Sequence, residues 1–91
     1  MAKAEISWNR RTEEGVKLEI YAHHVGNRWK FFRRARRYDQ WMEMTDPQLE
    51  DWIELLDGVE RRIARRLLRP EESARVRKAI LERFPEAKVG E

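Results

Sequence analysis

The apolar residues of this 91-residue chain change their spacing once, near Thr45, and this change limits the possible folds more than any other feature. Before Thr45 they tend to alternate with polar residues, which is typical of a β-strand whose successive side chains point to opposite faces. After Thr45 they recur every three or four residues, which is typical of an amphipathic helix. The sequence therefore predicts an α+β fold in which strands come first and two helices follow.

Two turn signals divide the first half into strands. Gly26-Asn27 stands between two runs rich in β-branched and aromatic residues, and it suits a two-residue type II′ hairpin. Glu13-Glu14-Gly15 suits a three-residue loop with Gly15 in the left-handed conformation, because this loop length places Trp8 on the apolar face. We predict a three- or four-stranded antiparallel meander with strands over about 5–11, 16–25, 28–34 and 41–44.

The hairpin register predicts what each face of the sheet carries. On one face, the aromatic pair of Tyr21 and Phe32 lies between two polar pairs. These polar pairs are His23 with Lys30 and Glu19 with Arg34. The other face collects the apolar residues Ile6, Trp8, Val16, Leu18, Ile20, Ala22, Trp29 and Phe31. Further alternation would drive Arg33 and Arg37 into the core, so we expect the third strand to end there and Tyr38-Asp39-Gln40 to form a turn.

The second half predicts helices over about 47–68 and 70–84, followed by a loose tail over 86–91. The first helix has two candidate starts: Asp46 as the cap before Pro47, or Thr45 as the cap with Gln48 as its capping-box partner. Pro70 ends this helix and opens the next. The apolar stripes contain Leu49, Trp52, Ile53, Leu56, Val59, Ile63 and Leu67 in the first helix, and Val76, Ala79, Ile80 and Phe84 in the second. We expect both helices to cover the apolar face of the sheet within a single domain over 1–91.

The net charge of +3 conceals three charge blocks. Residues 28–37 contain six cations and no acid, residues 46–60 six acids and no base, and residues 61–69 five arginines. Within the first helix, acids before bases complement the helix dipole, and Asp57 with Arg61 forms a favourable i,i+4 pair. This helix pattern has a structural explanation, with a binding surface as the alternative.

The first of these blocks, residues 28–37, has no such explanation, and we call it the basic block. Two partners stay open for its arginines: the acidic first turns of the long helix, or an external polyanion whose phosphate oxygens match guanidinium forks. Tyr21 and Phe32 beside these cations resemble a stacking platform for unpaired bases, whereas cross-strand stabilisation or a homodimer interface is the alternative. The candidate nucleic-acid-binding residues are Tyr21, Arg28, Lys30, Phe32, Arg33, Arg34, Arg36 and Arg37.

Catalytic and metal-binding patterns are absent from the sequence. His23 and His24 are the only imidazoles, and on a strand they point to opposite faces, so they cannot share a metal ion. No Gly-rich phosphate loop, zinc spacing or nucleophile setting occurs, so we expect no enzyme, no cofactor and no metal. Four tryptophans could suggest a ligand cage, but in a small domain packing explains them better.

The chain has no cysteine, no apolar leader segment and no run long enough to span a membrane. We therefore expect a cytoplasmic protein without a membrane partner. We predict a small non-catalytic module that binds single-stranded or structured nucleic acid, either RNA or single-stranded DNA. The alternative is a protein-interaction or structural domain that pairs with itself or with an acidic protein. The aromatic-glycine signature of the common RNA-recognition fold is missing.

Overall fold

The computed structural model describes residues 5–26, 28–37 and 39–89. Its elements are β1 (Glu5–Arg11), β2 (Lys17–Val25), β3 (Arg28–Arg34), β4 (Met42–Met44), α1 (Leu49–Ala64) and α2 (Glu71–Arg83). The predicted α+β fold, an antiparallel meander followed by two C-terminal helices, is confirmed. The chain divides into two compact units, Met1–Asp46 and Pro47–Glu91. The single domain and the covering of the sheet by the helices stay predictions.

The sheet has the order β1-β2-β3-β4, and all its neighbouring strands are antiparallel. The predicted cross-strand pairs are confirmed: Trp8 with Ile20, Tyr21 with Phe32, His23 with Lys30, and Glu19 with Arg34. β4 pairs with β3 through Phe31–Met44, Phe32–Glu43 and Arg33–Met42. The meander therefore has four strands rather than three.

Both hairpin loops contain a glycine in the left-handed region, Gly15 with a φ of 87° and Gly26 with a φ of 60°. The first loop is closed by Thr12, whose N–H donates to the Val16 carbonyl at 2.8 Å. A Cβ atom at Gly15 would meet no atom within 4 Å, so the backbone conformation, not a lack of space, requires glycine there. In the second loop, the prediction for Asn27 falls outside the described residues.

The apolar face of the sheet carries the buried residues of the first unit. They are Ile6, Leu18, Ile20, Ala22 and Phe31. Trp8 contacts Phe31 edge-on, with ring centroids 6.0 Å apart, and Trp29 stacks on His24 at 4.5 Å. Val16, which was predicted on this face, is exposed because β2 begins only at Lys17 and Val16 lies in the loop.

The start of α1 differs from the prediction. Neither Asp46 nor Thr45 caps the helix, because Gln48 is the N-cap and makes no side-chain capping bond. The backbone of Gln48 is extended, with a ψ of 162°, so helical geometry begins only at Leu49. The carbonyl of Gln48 accepts the first helical bonds, from the N–H groups of Asp51 and Trp52.

The end of α1 also differs, since the helix stops at Ala64 rather than near residue 68. Arg66 has a φ of 63°, in the left-handed region. The N–H of Leu67 donates to the Arg62 carbonyl at 2.8 Å, and the N–H of Arg66 donates to the Ile63 carbonyl at 2.9 Å. These two bonds form a Schellman motif, which ends the helix and leaves Leu67 exposed instead of on the apolar stripe.

The second unit buries one side of each helix. The buried apolar residues are Trp52, Leu55, Leu56 and Val59 in α1, and Val76 and Ile80 in α2. Ile53, which was predicted on the α1 stripe, is exposed. Glu60 of α1 forms an ion pair with Arg77 of α2, and Arg83 lies over the Trp52 ring at 4.9 Å. Val89 is buried, although a loose tail was expected over this segment.

Candidate nucleic-acid interface

The polar face of the sheet is the face opposite the buried side chains of Ile20 and Phe31. Because successive strand residues alternate between faces, Tyr21 and Phe32 lie on it as a cross-strand pair. Ser7 of β1 pairs with Tyr21 from the opposite edge of β2. Ser7, Tyr21 and Phe32 therefore form one row across three strands on the same face. Five predicted site residues share this face, which are Tyr21, Arg28, Lys30, Phe32 and Arg34.

Three aromatic side chains meet on the polar face, and we call them the aromatic cluster: Tyr21, Phe32 and Trp41. The rings of Tyr21 and Phe32 are stacked, with centroids 4.9 Å apart and planes inclined by 18°. Trp41 meets Tyr21 edge-on, with centroids 4.7 Å apart and an interplanar angle of 88°. The Trp41 side chain remains exposed, while Tyr21 and Phe32 are half-buried.

Sequence reasoning missed Trp41 as a member of the site, because it assigned the tryptophans mainly to packing. The two-residue alternation of a strand would have placed Trp41 on the polar face. Glu43 pairs with Phe32 and so lies on that face, and Trp41 precedes Glu43 by two residues. Two residues is the period of a strand, so extending the alternation back from Glu43 places Trp41 on the same face.

Arg34 is held by two intramolecular partners. Its Nε–H donates to the Glu19 carboxylate at 2.7 Å, and its guanidinium carbon lies 4.3 Å from the centroid of the Trp41 ring. Only 22% of its side chain is exposed. Arg34 therefore connects Trp41 to Glu19 of β2. These intramolecular contacts distinguish it from the other arginines of the basic block.

The remaining cations of the basic block form what we call the basic strip, which consists of Arg28, Lys30, Arg33, Arg36 and Arg37. Within residues 5–26, 28–37 and 39–89, none of the five forms a salt bridge. All five are exposed. No residue described in their own unit, Met1–Asp46, therefore neutralises these charges.

The basic strip is not confined to the polar face. Arg33 pairs with Ile20 and Met42 and so belongs to the apolar face, but it is exposed because it lies at the end of β3. Arg36 and Arg37 follow β3 in a loop, where the backbone N–H of Arg36 donates to the Asp39 carboxylate at 3.2 Å. Tyr38, predicted to start the turn, falls outside the described residues.

Carboxylates lie on both sides of the cations that stand along β3 on the polar face. Glu5 of β1 and Glu19 of β2 lie on one side, and Glu43 of β4 lies on the other, next to Phe32. Burial raises the pKa of the Tyr21 hydroxyl above its usual value of 10.0, and the negative charge of Glu5 raises it further. Glu5 also lies 3.7 Å from the Nδ1 atom of His23.

A groove of about 490 Å³ lies beside Tyr21. Its lining on the polar face consists of Glu5, Ser7, Asn9, Glu19, Tyr21 and Trp41. Because these residues include three from β1, the groove lies on the β1 side of Tyr21, away from Phe32. Its size falls within the range of roughly 300–1,000 Å³ that small ligands occupy.

No group of three or more His, Asp or Glu side chains in the described ranges could hold a metal ion. The predicted separation of His23 and His24 is confirmed, since they occupy opposite faces of β2. No helix in the described part of the chain has the length and apolar character needed to cross a membrane. Models of known protein families, curated proteins and solved structures contain no match to this chain.

Proposed function

We propose that this protein is a small non-catalytic module that binds single-stranded nucleic acid, RNA or DNA, on the polar face of its sheet. The observation that carries the proposal is the position of the aromatic cluster next to the basic strip. Proteins that bind single strands combine these two elements, because bases stack on aromatic rings while cations attract the phosphates.

The stacked pair of Tyr21 and Phe32 supports the base-binding part of the proposal. Both rings stand on the polar face of the sheet, and the small side chain of Ser7 leaves space beside Tyr21. Stacking on an aromatic ring contributes about 1–3 kcal/mol per base and tolerates every base, since each has a π-face. Trp41, more exposed than either ring, adds a third aromatic surface.

The basic strip supports the phosphate-binding part. Arg28 and Lys30 are two residues apart on β3 and so point to the same face, about 7 Å from each other along the strand. Arg36 and Arg37 extend the positive charge into the loop beyond the strand. Cations without an intramolecular ion pair lose little when they bind phosphate, and the counterions that they displace from the strand favour binding.

Fluorescence anisotropy tests the proposal directly. Labelled mixed-sequence RNA and single-stranded DNA are titrated with the protein at increasing salt concentrations. We expect binding at low salt, with a logarithmic affinity that falls linearly with the logarithm of salt concentration. Absence of binding at the lowest salt concentration would overturn the proposal.

Self-association is the second candidate function, and one observation favours it. Trp41 and Met42, at the edge strand β4, are exposed large apolar side chains, and exposed apolar surface is common at interfaces. Light scattering over a range of protein concentrations separates the candidates. A mass that stays that of the monomer at high concentration removes the homodimer.

A further inference from the structure

We infer that Arg11 of β1 and Lys17 of β2 together bind one phosphate of the single strand, at the far end of the polar face from Arg28 and Lys30. The inference rests on the proposed function and adds a second phosphate site to it. Three features support it: the register that sets two cations side by side, the donors that they present to solvent, and the position of the aromatic cluster between the two ends of the face.

Arg11 and Lys17 are directly opposite each other at the loop end of the first hairpin. Thr12 and Val16, the next pair toward the loop, are joined by a backbone hydrogen bond. Because hydrogen-bonded and non-hydrogen-bonded pairs alternate in an antiparallel ladder, Arg11 and Lys17 form a pair of the second kind, whose Cα atoms are only about 4.5 Å apart. Like charges in directly opposite positions destabilise a sheet. An anion bound between the two side chains would remove this repulsion.

Both side chains lie on the polar face. Arg11 follows Ser7 by four residues and Lys17 precedes Tyr21 by four, and four residues is twice the period of a strand. Both cations are exposed. Leu18, next to Lys17, takes the opposite face and is buried. The pair therefore faces the same side of the sheet as the aromatic cluster.

The two cations keep donors for a ligand. The Nη1 group of Arg11 donates to the Gly15 carbonyl at 3.0 Å, which holds the guanidinium beside the loop and uses one of its five N–H donors. Within the described ranges, neither cation forms a salt bridge, and Glu13 and Glu14 of the same loop pair with neither of them. A guanidinium and an ammonium side by side match the oxygens of one phosphate, the first as a fork and the second as a point charge.

The strand carboxylate next to the pair has a cation of its own. Glu19 lies between Lys17 and Tyr21 on the polar face, and it accepts from Arg34 at 2.7 Å. This ion pair offsets the charge of Glu19. A phosphate held by Arg11 and Lys17 is therefore not opposed by the full charge of that carboxylate.

The aromatic cluster lies between this pair and the cations at the other end of the polar face. Lys30 is opposite His23, and His23 lies six residues from Lys17, which is about 20 Å along β2. Tyr21 stands between these two positions. Arg36 follows β3 into the loop at the end of the sheet where β2 begins. A single strand that runs along β2 would therefore have phosphate contacts at both ends and stacked bases between them.

The test measures the binding of a labelled uridine nonamer over a salt series by fluorescence anisotropy. The double variant Arg11→Gln and Lys17→Gln should weaken binding at low salt and lower the slope of the logarithmic plot by about 0.7, the contribution of one phosphate on a single strand. The matched control, Arg65→Gln with Arg69→Gln, removes the same charge from exposed positions in the second unit. It should leave the slope unchanged.

Urea unfolding gives a second readout that does not depend on nucleic acid. Lys17→Gln should raise the urea midpoint, because it removes one of two opposed like charges. Lys30→Gln removes a lysine from an exposed strand position opposite a histidine and should leave the midpoint unchanged. A lower midpoint for Lys17→Gln would overturn the inference, since Lys17 would then stabilise the chain through an internal partner such as Glu13.

The outcomes separate this inference from the proposed function. If the unaltered protein binds no nonamer at the lowest salt concentration, the proposed function fails and the inference fails with it. If the nonamer binds and the double variant keeps the full slope, only the site at Arg11 and Lys17 fails. A slope lowered by about 1.4 would also overturn it, since the two cations would then hold separate phosphates. An affinity for a hexaglutamate peptide that depends on the pair, with an unchanged slope for the nonamer, would overturn it and assign the pair to an acidic protein segment.

Discussion

The guanidinium carbon of Arg34 lies 4.3 Å from the centroid of the Trp41 ring, and its Nε–H donates to Glu19. One side chain thereby ties the end of β3 to β2 and to the residue that precedes β4. A cation over an aromatic face contributes about 0.5–1 kcal/mol where it is partly exposed. A surface ion pair adds up to about 1 kcal/mol. Arg34 therefore stabilises the polar face, whereas the cations of the basic strip form no ion pair with the described residues.

Arg34→Ala should lower the free energy of unfolding by about 1–2 kcal/mol, because it removes both contacts. Arg36→Ala is the matched control, since it removes an arginine of the same block whose side chain is exposed. It should change stability by less than about 0.5 kcal/mol. Urea denaturation followed by tryptophan fluorescence measures both. Equal losses for the two variants would mean that Arg36 also has a stabilising partner, such as the acidic residues of α1.

Replacing Arg33, Arg36 and Arg37 together by alanine should weaken binding to single-stranded RNA and reduce its salt dependence. Each phosphate contact on a single strand contributes about 0.7 to the slope of the logarithmic plot, so three lost contacts lower it by about 2. The control is the triple variant Arg65→Ala, Arg69→Ala and Lys78→Ala, which removes the same charge from exposed positions in the second unit. An unchanged slope in the first variant would remove these arginines from the interface.

Phe32→Leu should weaken binding about fivefold or more, because a leucine keeps apolar area but offers no ring to a base. Tyr21→Phe keeps the ring and should bind single-stranded RNA as the unaltered protein does. Thermal unfolding of both variants checks that the sheet persists, since the aromatic pair also contributes cross-strand stabilisation of about 0.2–1 kcal/mol. Equal affinity of Phe32→Leu and the unaltered protein would contradict a stacking role.

Tyr21 should ionise at a higher pH than an exposed tyrosine, because burial and then the charge of Glu5 oppose its negative form. The stability that this group contributes is fully present below pH 10.0, its unfolded pKa, and is lost as the pH rises through the raised folded pKa. The ultraviolet absorbance of the tyrosinate ion follows this ionisation. Glu5→Gln should shift the titration of Tyr21 to lower pH, while Glu13→Gln should leave it in place.

Arg66→Gly should raise the free energy of unfolding by about 1 kcal/mol, because a side chain in the left-handed region costs about 1–2 kcal/mol that glycine avoids. Arg65 provides the comparison, since its φ of −93° is ordinary. Arg65→Gly should lower stability. Helix circular dichroism during thermal unfolding reports both changes, and a loss of stability in Arg66→Gly would contradict the role given to the Schellman motif.

The strand register was predictable because local chemistry determines it. Gly15 and Gly26 stand where left-handed backbone is needed, and each sets the length of a loop. Once the loop length is known, every pair in the hairpin follows. The pairing of Tyr21 with Phe32 was therefore available from the sequence.

The helix ends were not predictable in the same way. The apolar period continues through Leu67, but the chain leaves the helix at Arg66, a residue type that gives no sign of a left-handed conformation. The start was wrong because Asp46 and Thr45 have good capping chemistry but precede an extended Gln48. Trp41 was missed because residue type alone does not separate a packing tryptophan from an exposed one.

The alternation along β2 and β3 has a consequence for how this chain tolerates change. Tyr21 and Phe32 point outward for the same reason that Ile20 and Phe31 point inward, since neighbouring residues take opposite faces. A slip of one residue would exchange the two sets completely. A single inserted or deleted residue in either strand would therefore disrupt the interior and the polar face together, whereas a substitution can alter one and spare the other.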